Sequence, residues 1–260
     1  MAQHQPQEIL SVLLTTLEPL HTLNTHRARL GLGPSKNLIS SEFGTTKIHP
    51  ENSPAYQGNT SIPRNICAPI PDELNCRLWI TGLPATCTMH QILGRISEGP
   101  IFACHITKPS LWGPKIWATA AASLTFFTAD AANRFLERNA LEPFTVEGRQ
   151  TKVVRHRIRT ESVDVNGRSR VLRIVGDPRI VQPEYLNRLF TEDWMIQFDT
   201  DYVQFTPDEN GKANEIIWAF GSFRAQAHMV YINVNKRFTG RAQAIYVADP
   251  CGQGSCEDGS

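Results

Sequence analysis

The sequence predicts an α+β protein built from two consecutive βαββαβ units. Three observations lead to this prediction. Strand-like runs with period-two alternation and helix-like runs with apolar residues three or four apart follow one another in the same order twice. A polar stretch with an Asn-Gly pair, residues 160–169, separates the two copies as a linker. The first strands of the copies, LWITGLP (78–84) and LRIVGDP (172–178), match position by position.

The bulk composition indicates a folded chain with one basic half. The chain has 260 residues, 41% of them hydrophobic and 20% charged, so it can bury a core. No window approaches eighteen consecutive apolar residues, and the N-terminus lacks the features of a secretory signal. Residues 75–160 carry 11 Lys/Arg against 5 Asp/Glu, whereas residues 169–248 carry 9 of each. Such a surplus is typical of a surface that meets a polyanion, with an ordinary solvated face as the alternative.

The two ends of the chain have few periodic apolar positions. Residues 1–74 are rich in Ser, Thr, Asn and Pro and are expected to be mostly disordered. A short helix is expected near 7–18, where apolar residues recur at helical spacing, namely Ile9, Val12, Leu13 and Leu17. This helix would either pack on the rest of the chain or dock onto a protein partner. Residues 250–260 are expected to be a flexible tail.

The first unit is assigned to residues 75–159. Its strands are expected at 77–84, 99–107, 115–127 and 149–159. The first helix is expected to begin at Thr86 or Thr88, and the second at residue 128. In the third strand, alternation turns Ala120, Ala122, Leu124 and Phe126 inward. Trp79 and Thr81 of the first strand, His105 of the second, and Ala121 and Ser123 of the third then share the opposite face.

The second unit is assigned to residues 170–249. Its strands are expected at 170–178, 194–205, 214–223 and 241–249, with helices at 182–193, where Pro183 occupies the first turn, and at 224–238. In the third strand, Trp218 and Phe220 alternate on one side, which we expect to be the open face beside Arg173, and Phe223 is expected in the core.

The first strands and the stretch IIWAFGSF (216–223) resemble the RNP motifs of RNA recognition motif (RRM) domains. IIWAFGSF keeps Trp218, Ala219, Phe220 and Phe223 of the longer motif but lacks its leading basic residue and glycine. TAAASLTF (119–126) keeps only Ala122, Leu124 and Phe126. With NCRLWITGLPATCT, FGSFRAQAHMVY and a closing DPC, the chain looks like a filamentous-fungal set of two-RRM proteins over about residues 65–252. The resemblance implies ferredoxin-like domains, each a four-stranded antiparallel sheet on two helices, whose open face stacks bases on aromatic side chains.

The resemblance implies RNA-binding residues on both sheets: Trp79, Thr81, His105, Ala121 and Ser123 on the first, and Arg173, Trp218 and Phe220 on the second. Along the last strand of the first unit, alternation groups Arg155, Arg157 and Arg159, with Val154 and Ile158 taken as inward. We expect the arginines to hold phosphates beside the open face, with a charged, solvated edge strand as the alternative. For the aromatics of the second sheet, the alternative is cover by protein.

These readings define the expected partners. Single-stranded RNA is expected, single-stranded DNA is an alternative, and no cofactor, metal or membrane is expected. A protein-interaction adaptor is the competing class, in which the N-terminal helix or the second RRM binds polypeptide, for instance through a UHM-like loop with Lys236-x-Phe238. Because a Gly-rich phosphate loop, HExxH and GxSxG are missing from the sequence, we expect no catalysis. We expect an intracellular protein in the nucleus, the cytoplasm or both, with the nucleus slightly favoured.

Overall fold

A computed structural model of the protein describes residues 66–110 and 117–252. The expected helix near 7–18 and most of the tail therefore lie outside the described residues. The described part contains two four-stranded antiparallel sheets and four α-helices, so the predicted α+β class is confirmed. None of these helices combines the length and the apolar character needed to cross a membrane.

The first unit folds as βαββαβ with a small additional hairpin. Its elements are, in chain order, β1 (Arg77–Leu83), α1 (Met89–Leu93), β2 (Ile101–Thr107), β3 (Ala120–Phe126), α2 (Ala129–Leu141), β4 (Thr145–Val146), β5 (Arg149–Gln150) and β6 (Lys152–Arg155). The sheet has the order β2-β3-β1-β6, and β4 and β5 pair separately. The predicted strand 149–159 is thus split in two and ends at Arg155.

The second unit repeats this arrangement. Its elements are β7 (Val171–Gly176), α3 (Pro183–Arg188), β8 (Thr200–Thr206), β9 (Asn214–Phe220), α4 (His228–Arg237) and β10 (Ala242–Tyr246), with π-helical turns at Leu189–Asp193 and Phe223–Ala227. The sheet order β10-β7-β9-β8 places equivalent strands as in the first unit. Both units therefore have the strand order and connectivity of an RRM-type, ferredoxin-like domain.

Local side chains explain where the helices begin. Thr88 caps α1: its Oγ1 accepts a hydrogen bond from the backbone N of Gln91 at 3.3 Å, and the Gln91 side chain accepts one from Thr88 N at 2.8 Å. Thr128 caps α2 by accepting from Ala131 N at 3.3 Å. Pro183 is the first residue of α3, a position that needs no backbone donor. The starts predicted at Thr88 and Pro183 are confirmed.

Each sheet buries one face against its helices. In β3 the inward side chains are the predicted ones, each at most 1% exposed: Ala120, Ala122, Leu124 and Phe126. In β9 the phase of the alternation is opposite to the predicted one. Trp218 is 3% exposed, with its ring 5.3 Å from that of Phe190, and Phe220 is fully buried. The prediction that Trp218 and Phe220 occupy the open face is therefore wrong.

Side-chain size decides the phase of β9. The large Trp218 and Phe220 alternate with the small Ala219 and Gly221. A one-residue shift would exchange the two sets and leave a tryptophan and a phenylalanine outside the core. Each large aromatic buries about 150–250 Å². The ring of Phe198 completes the aromatic core, 5.8 Å from Trp218 and 5.5 Å from Phe220.

A buried ion-pair network joins the two units. Arg170, just before β7, is fully buried. Its Nε and Nη2 each lie 2.9 Å from the Asp249 carboxylate, and its Nη1 lies 2.9 Å from Asp201 Oδ2. Asp249 Oδ2 also accepts a hydrogen bond from the backbone N of Ile101 in β2, at 2.9 Å. Cys251 packs in the core of the first unit, so the end of the second unit is part of that core.

The second unit also covers β2, the edge strand of the first sheet. The backbone N of Cys104 donates to the Gly221 oxygen at 2.7 Å, and Ala103 forms an antiparallel bridge with Ser222. Directly opposed residues in an antiparallel pair point to the same face, so Ser222 shares the face of Ala103. Residues 221–222 therefore extend the first sheet by a short fifth segment.

Candidate nucleic-acid interface

The open face of the first sheet is the face opposite the buried side chains of β3. Trp79 of β1 lies at its centre, opposite Ser123 of β3 and Val154 of β6. His105 of β2 lies opposite Ser123, so the four side chains form a row across the sheet. The ring of Trp79 is partly exposed, and His105 is exposed. The structure thus brings Trp79, Ser123 and His105 together on one face.

A second row lies next to this one, toward the end of β1. Thr81 lies opposite Ala121 of β3 and Lys152 of β6, and Ala121 lies opposite Thr107 of β2. Thr81 and Ala121 are partly exposed, and Lys152 is exposed. Because Thr81 and Ala121 are small, they leave room for a base beside the ring of Trp79. Lys152 places a positive charge at the edge of this space.

A third row begins with Arg77, on the other side of Trp79. Arg77 lies opposite Thr125, which in turn lies opposite Ala103. The Arg77 Nε donates a hydrogen bond to Ser123 Oγ at 2.8 Å. Ser123, which accepts this hydrogen bond, is only 7% exposed. A base next to Trp79 would therefore meet a guanidinium group at this position.

His156 holds Trp79 in place. The two rings are 5.5 Å apart with an interplanar angle of 79°, an edge-to-face contact. The backbone N of Ile158 donates to His156 Nδ1 at 3.0 Å, so this nitrogen carries no proton. Burial above all, and then the charge of Arg77, lower the pKa of His156 to about 4. At neutral pH, Trp79 thus packs against an uncharged ring.

Arg155 lies on the helix side of the sheet, contrary to prediction. Its Nη1 donates to the Asn75 carbonyl oxygen at 2.5 Å, and its Nη2 to the Asn133 side chain on α2. The prediction took Val154 as inward, whereas the sheet turns Val153 inward and leaves Val154 39% exposed. Because Val153 and Val154 are equally apolar, the sequence does not show which of them points inward. A one-residue shift moves every side chain of the strand to the other face of the sheet.

Arg157 and Arg159 lie beyond the end of β6, so strand alternation does not govern them. The Nε of Arg159 donates to Asp72 Oδ1 at 2.8 Å, which turns this arginine toward the segment before β1. Arg157 is exposed, and within the described residues its guanidinium makes no hydrogen bond or ion pair. Its charge contributes to the lowered pKa of the neighbouring His156, after burial and Arg77. Of the three predicted arginines, Arg157 is the one we assign to the site.

The open face of the second sheet is mainly aliphatic around Arg173. This arginine lies in one row between Ile245 of β10 and Ile217 of β9, and its Nε donates to Glu215 Oε2 at 2.8 Å. A carboxylate on the same face thus compensates its charge, which is unfavourable for a phosphate contact. Since Trp218 and Phe220 lie on the buried face, the predicted stacking surface of the second sheet is not formed.

The Lys236-x-Phe238 loop also differs from expectation. Phe238 is 7% exposed, and its ring packs in the core at 6.5 Å from that of Trp194. A phenylalanine in this position is not available to an incoming peptide, so the geometry does not support a UHM-like use of the loop.

Four residues of the site were not among the predicted RNA-binding residues, although two of them, Lys152 and His156, belong to the basic last strand: Arg77, Lys152, Val154 and His156. Arg77 precedes Trp79 by two residues, so period-two alternation along β1 contains the signal for it. Trp117 is 60% exposed, because β3 begins at Ala120 and not at 115 as predicted. Trp117 forms an isolated bridge with Ser110 across the β2–β3 connection.

The described cysteines behave as core residues. They are free, buried thiols: Cys67, Cys76, Cys87, Cys104 and Cys251. Burial raises the pKa of Cys104 to about 12, which keeps this thiol protonated. Over residues 66–110 and 117–252, no group of three or more His, Cys, Asp or Glu side chains could hold a metal ion.

The strand order and connectivity of both units are those of the RRM-type, ferredoxin-like fold. No protein-family model and no curated protein matches the chain. Similar solved structures include an Sxl-lethal protein/RNA complex (16% identity, 66% of this chain and 99% of that chain, TM-score 0.25). Another is the structure of the first two RRM domains of the yeast poly(U)-binding protein, with 16% identity over 66% of this chain and 99% of that chain and a TM-score of 0.25. A third is a putative glycine cleavage system transcriptional repressor, with 10% identity over 66% of this chain and 98% of that chain and a TM-score of 0.23. At such identities and scores, the similarities add nothing about function.

Proposed function

We propose that the protein binds single-stranded RNA on the open face of the first sheet and performs no catalysis. In this proposal Trp79 stacks a base, and Arg77, Lys152 and Arg157 contact phosphates. The observation that carries the proposal is the placement of Trp79, a partly exposed ring at the centre of the face with cations around it. An exposed aromatic that stacks a base contributes about 1–3 kcal/mol. Phosphate contacts add affinity that falls with salt.

The second unit supports this site without offering a stacking sheet of its own. Its two predicted stacking residues belong to its core, and Arg173 is paired with Glu215. The second unit supports the first sheet through the segment 221–222, which lies along β2, and through the buried ion-pair network around Arg170. We therefore assign the stacking and most of the charge to the first unit.

Fluorescence anisotropy with a labelled, mixed-sequence RNA tests the proposal. A length of about ten nucleotides is sufficient, because an RRM stacks only two or three bases. Trp79→Ala should weaken binding about 5- to 100-fold, whereas Trp79→Phe keeps a ring and should retain most of the affinity. A DNA of the same sequence shows whether the site also accepts single-stranded DNA.

A matched pair of lysine variants separates site charge from overall charge. Lys152→Ala should reduce the salt slope of log affinity by about 0.7 between about 50 and 200 mM salt. Lys236→Ala removes another exposed lysine, at the end of α4, and should leave the slope unchanged. Equal effects of the two variants, or full affinity in Trp79→Ala, would refute the proposed site.

A further inference from the structure

A second group of aromatic side chains lies on the helix side of the second unit. The rings of Tyr231 on α4 and Tyr246 on β10 stack with centroids 4.5 Å apart and an interplanar angle of 18°. The ring of His228 stacks at 6.3 Å from Tyr231 and 6.5 Å from Tyr246, and its Nδ1 lies 2.6 Å from the Tyr246 hydroxyl. All three side chains are partly exposed. We call these three residues the Tyr–His stack.

Two exposed arginines border the Tyr–His stack. Arg224 follows Phe223, whose ring lies 5.4 Å from that of His228. Arg168 lies three residues before Val171, whose oxygen accepts a hydrogen bond of 3.1 Å from the backbone N of Val247, the neighbour of Tyr246. After the larger effect of burial, the charges of both arginines lower the pKa of His228. Within the part of the chain that the structure describes, neither guanidinium has a hydrogen bond or an ion pair.

The linker fixes the position of Arg168. Asn166 and Gly167 have φ angles of 40° and 69°, left-handed values that asparagine and glycine tolerate. The turn is closed by a hydrogen bond of 2.6 Å from Arg168 N to the Val165 oxygen. The Asn-Gly pair thus brings a cation from the linker to the Tyr–His stack.

The Tyr–His stack adjoins the open face of the first sheet. Ser222 lies on that face beside Ala103, in line with the Arg77 row. The next residue, Phe223, has its ring 5.4 Å from that of His228. Arg224 follows, with its Cα no more than about 7.6 Å from that of Ser222. A nucleic-acid strand that leaves Trp79 over the Arg77 row would therefore meet Arg224 and the Tyr–His stack next.

We propose that Arg168, Arg224 and the Tyr–His stack form a second subsite for the same single-stranded RNA. The arginines hold phosphates, and a base packs against the exposed part of the rings. This inference rests on the proposed function of the first sheet. It places the RNA contact of the second unit on its helix side and on the linker, and not on its sheet.

The length of the RNA distinguishes the two subsites. An oligonucleotide of about five residues suffices for the two or three bases of the first sheet, whereas one of about fifteen can continue onto the second unit. The variant Arg168→Ala/Arg224→Ala removes two exposed side chains, and thermal unfolding verifies its fold. It should weaken binding of the long RNA about tenfold and reduce its salt slope by about 1.4, with less than about a twofold effect on the short RNA.

The control variant is Lys236→Ala/Arg237→Ala, which removes two exposed cations from the far end of α4, about 12 Å along the helix from His228. It should leave both affinities unchanged. If Trp79→Ala abolishes binding of both lengths while the double arginine variant matches the wild type, the second subsite is refuted and the first stands. If the wild type binds neither length, both proposals are refuted.

Discussion

The guanidinium of Arg170 is held by the carboxylate of Asp249 through two hydrogen bonds of 2.9 Å, with both side chains at most 1% exposed. Arg170 immediately precedes β7 and Asp249 follows β10, so the pair closes the second unit on itself. Because the same carboxylate accepts a hydrogen bond from Ile101 of β2, the pair also couples the second unit to the first.

Removal of this guanidinium should destabilise the whole described fold. Arg170→Ala leaves the carboxylates of Asp249 and Asp201 buried without their cation, which we expect to lower the free energy of unfolding by about 3–5 kcal/mol. Urea denaturation followed by circular dichroism measures this, and the wild type should unfold in one transition. Arg173→Ala, which breaks the partly exposed pair with Glu215, should cost less than about 1 kcal/mol. Two separate wild-type transitions would contradict the coupling of the units.

Trp218 should matter for stability and not for RNA contact. Trp218→Ala removes an indole from the aromatic core, so the free energy of unfolding should fall by about 3–5 kcal/mol. Under conditions where the variant remains folded, its RNA affinity should equal that of the wild type. Denaturation and anisotropy on the same samples test both statements. A variant that is as stable as the wild type but binds RNA weakly would show that Trp218 lies on the open face after all.

The contrast between β3 and β9 shows what could be predicted from the sequence. The order of elements and the duplication are readable from the repeated patterns, and the inward face of β3 is readable because the apolar Leu124 and Phe126 alternate with the polar Ser123 and Thr125. In β9 both sides of the strand carry apolar residues, and motif similarity selected the wrong phase. The partners that bury Trp218, among them Phe190 and Phe198, are distant in sequence, so no local pattern reveals them.

The site was predictable to a similar extent. Period-two alternation correctly groups Trp79, Thr81, Ala121 and Ser123. It fails at Arg155 because β6 is short and its two central residues, Val153 and Val154, are both apolar, so they leave the phase undecided. The contact of His156 with Trp79 is set beyond the end of the strand, where alternation has no meaning.

The lowered pKa of His156 predicts a specific loss of stability in acid. The unfolded ring titrates near pH 6.5 and the folded ring near 4, so between these values the unfolded chain binds more protons. The stabilisation is complete above pH 6.5 and is lost as the pH falls toward 4. Because the ring is partly exposed, we expect its share between pH 7 and 5 to be about 1 kcal/mol.

Urea denaturation of wild type and His156→Phe at pH 7 and 5 isolates this effect. The variant has a ring that cannot titrate, so its free energy of unfolding should fall less on acidification than that of the wild type. The comparison uses the pH dependence and not the absolute stability, since the variant also loses the hydrogen bond with Ile158. The same pH dependence in both proteins would disprove the titration of His156 in this window.

The most direct test of the central claim is an NMR titration of the indole N–H signals with single-stranded RNA. The chain has five tryptophans, and Trp→Phe variants assign their signals. Trp218 is 3% exposed and donates its indole N–H to Thr200 Oγ1 at 3.2 Å, which makes it an internal control. We predict that the Trp79 signal shifts or broadens on RNA addition while the Trp218 signal stays in place. A shift of Trp218 with no change at Trp79 would contradict the account.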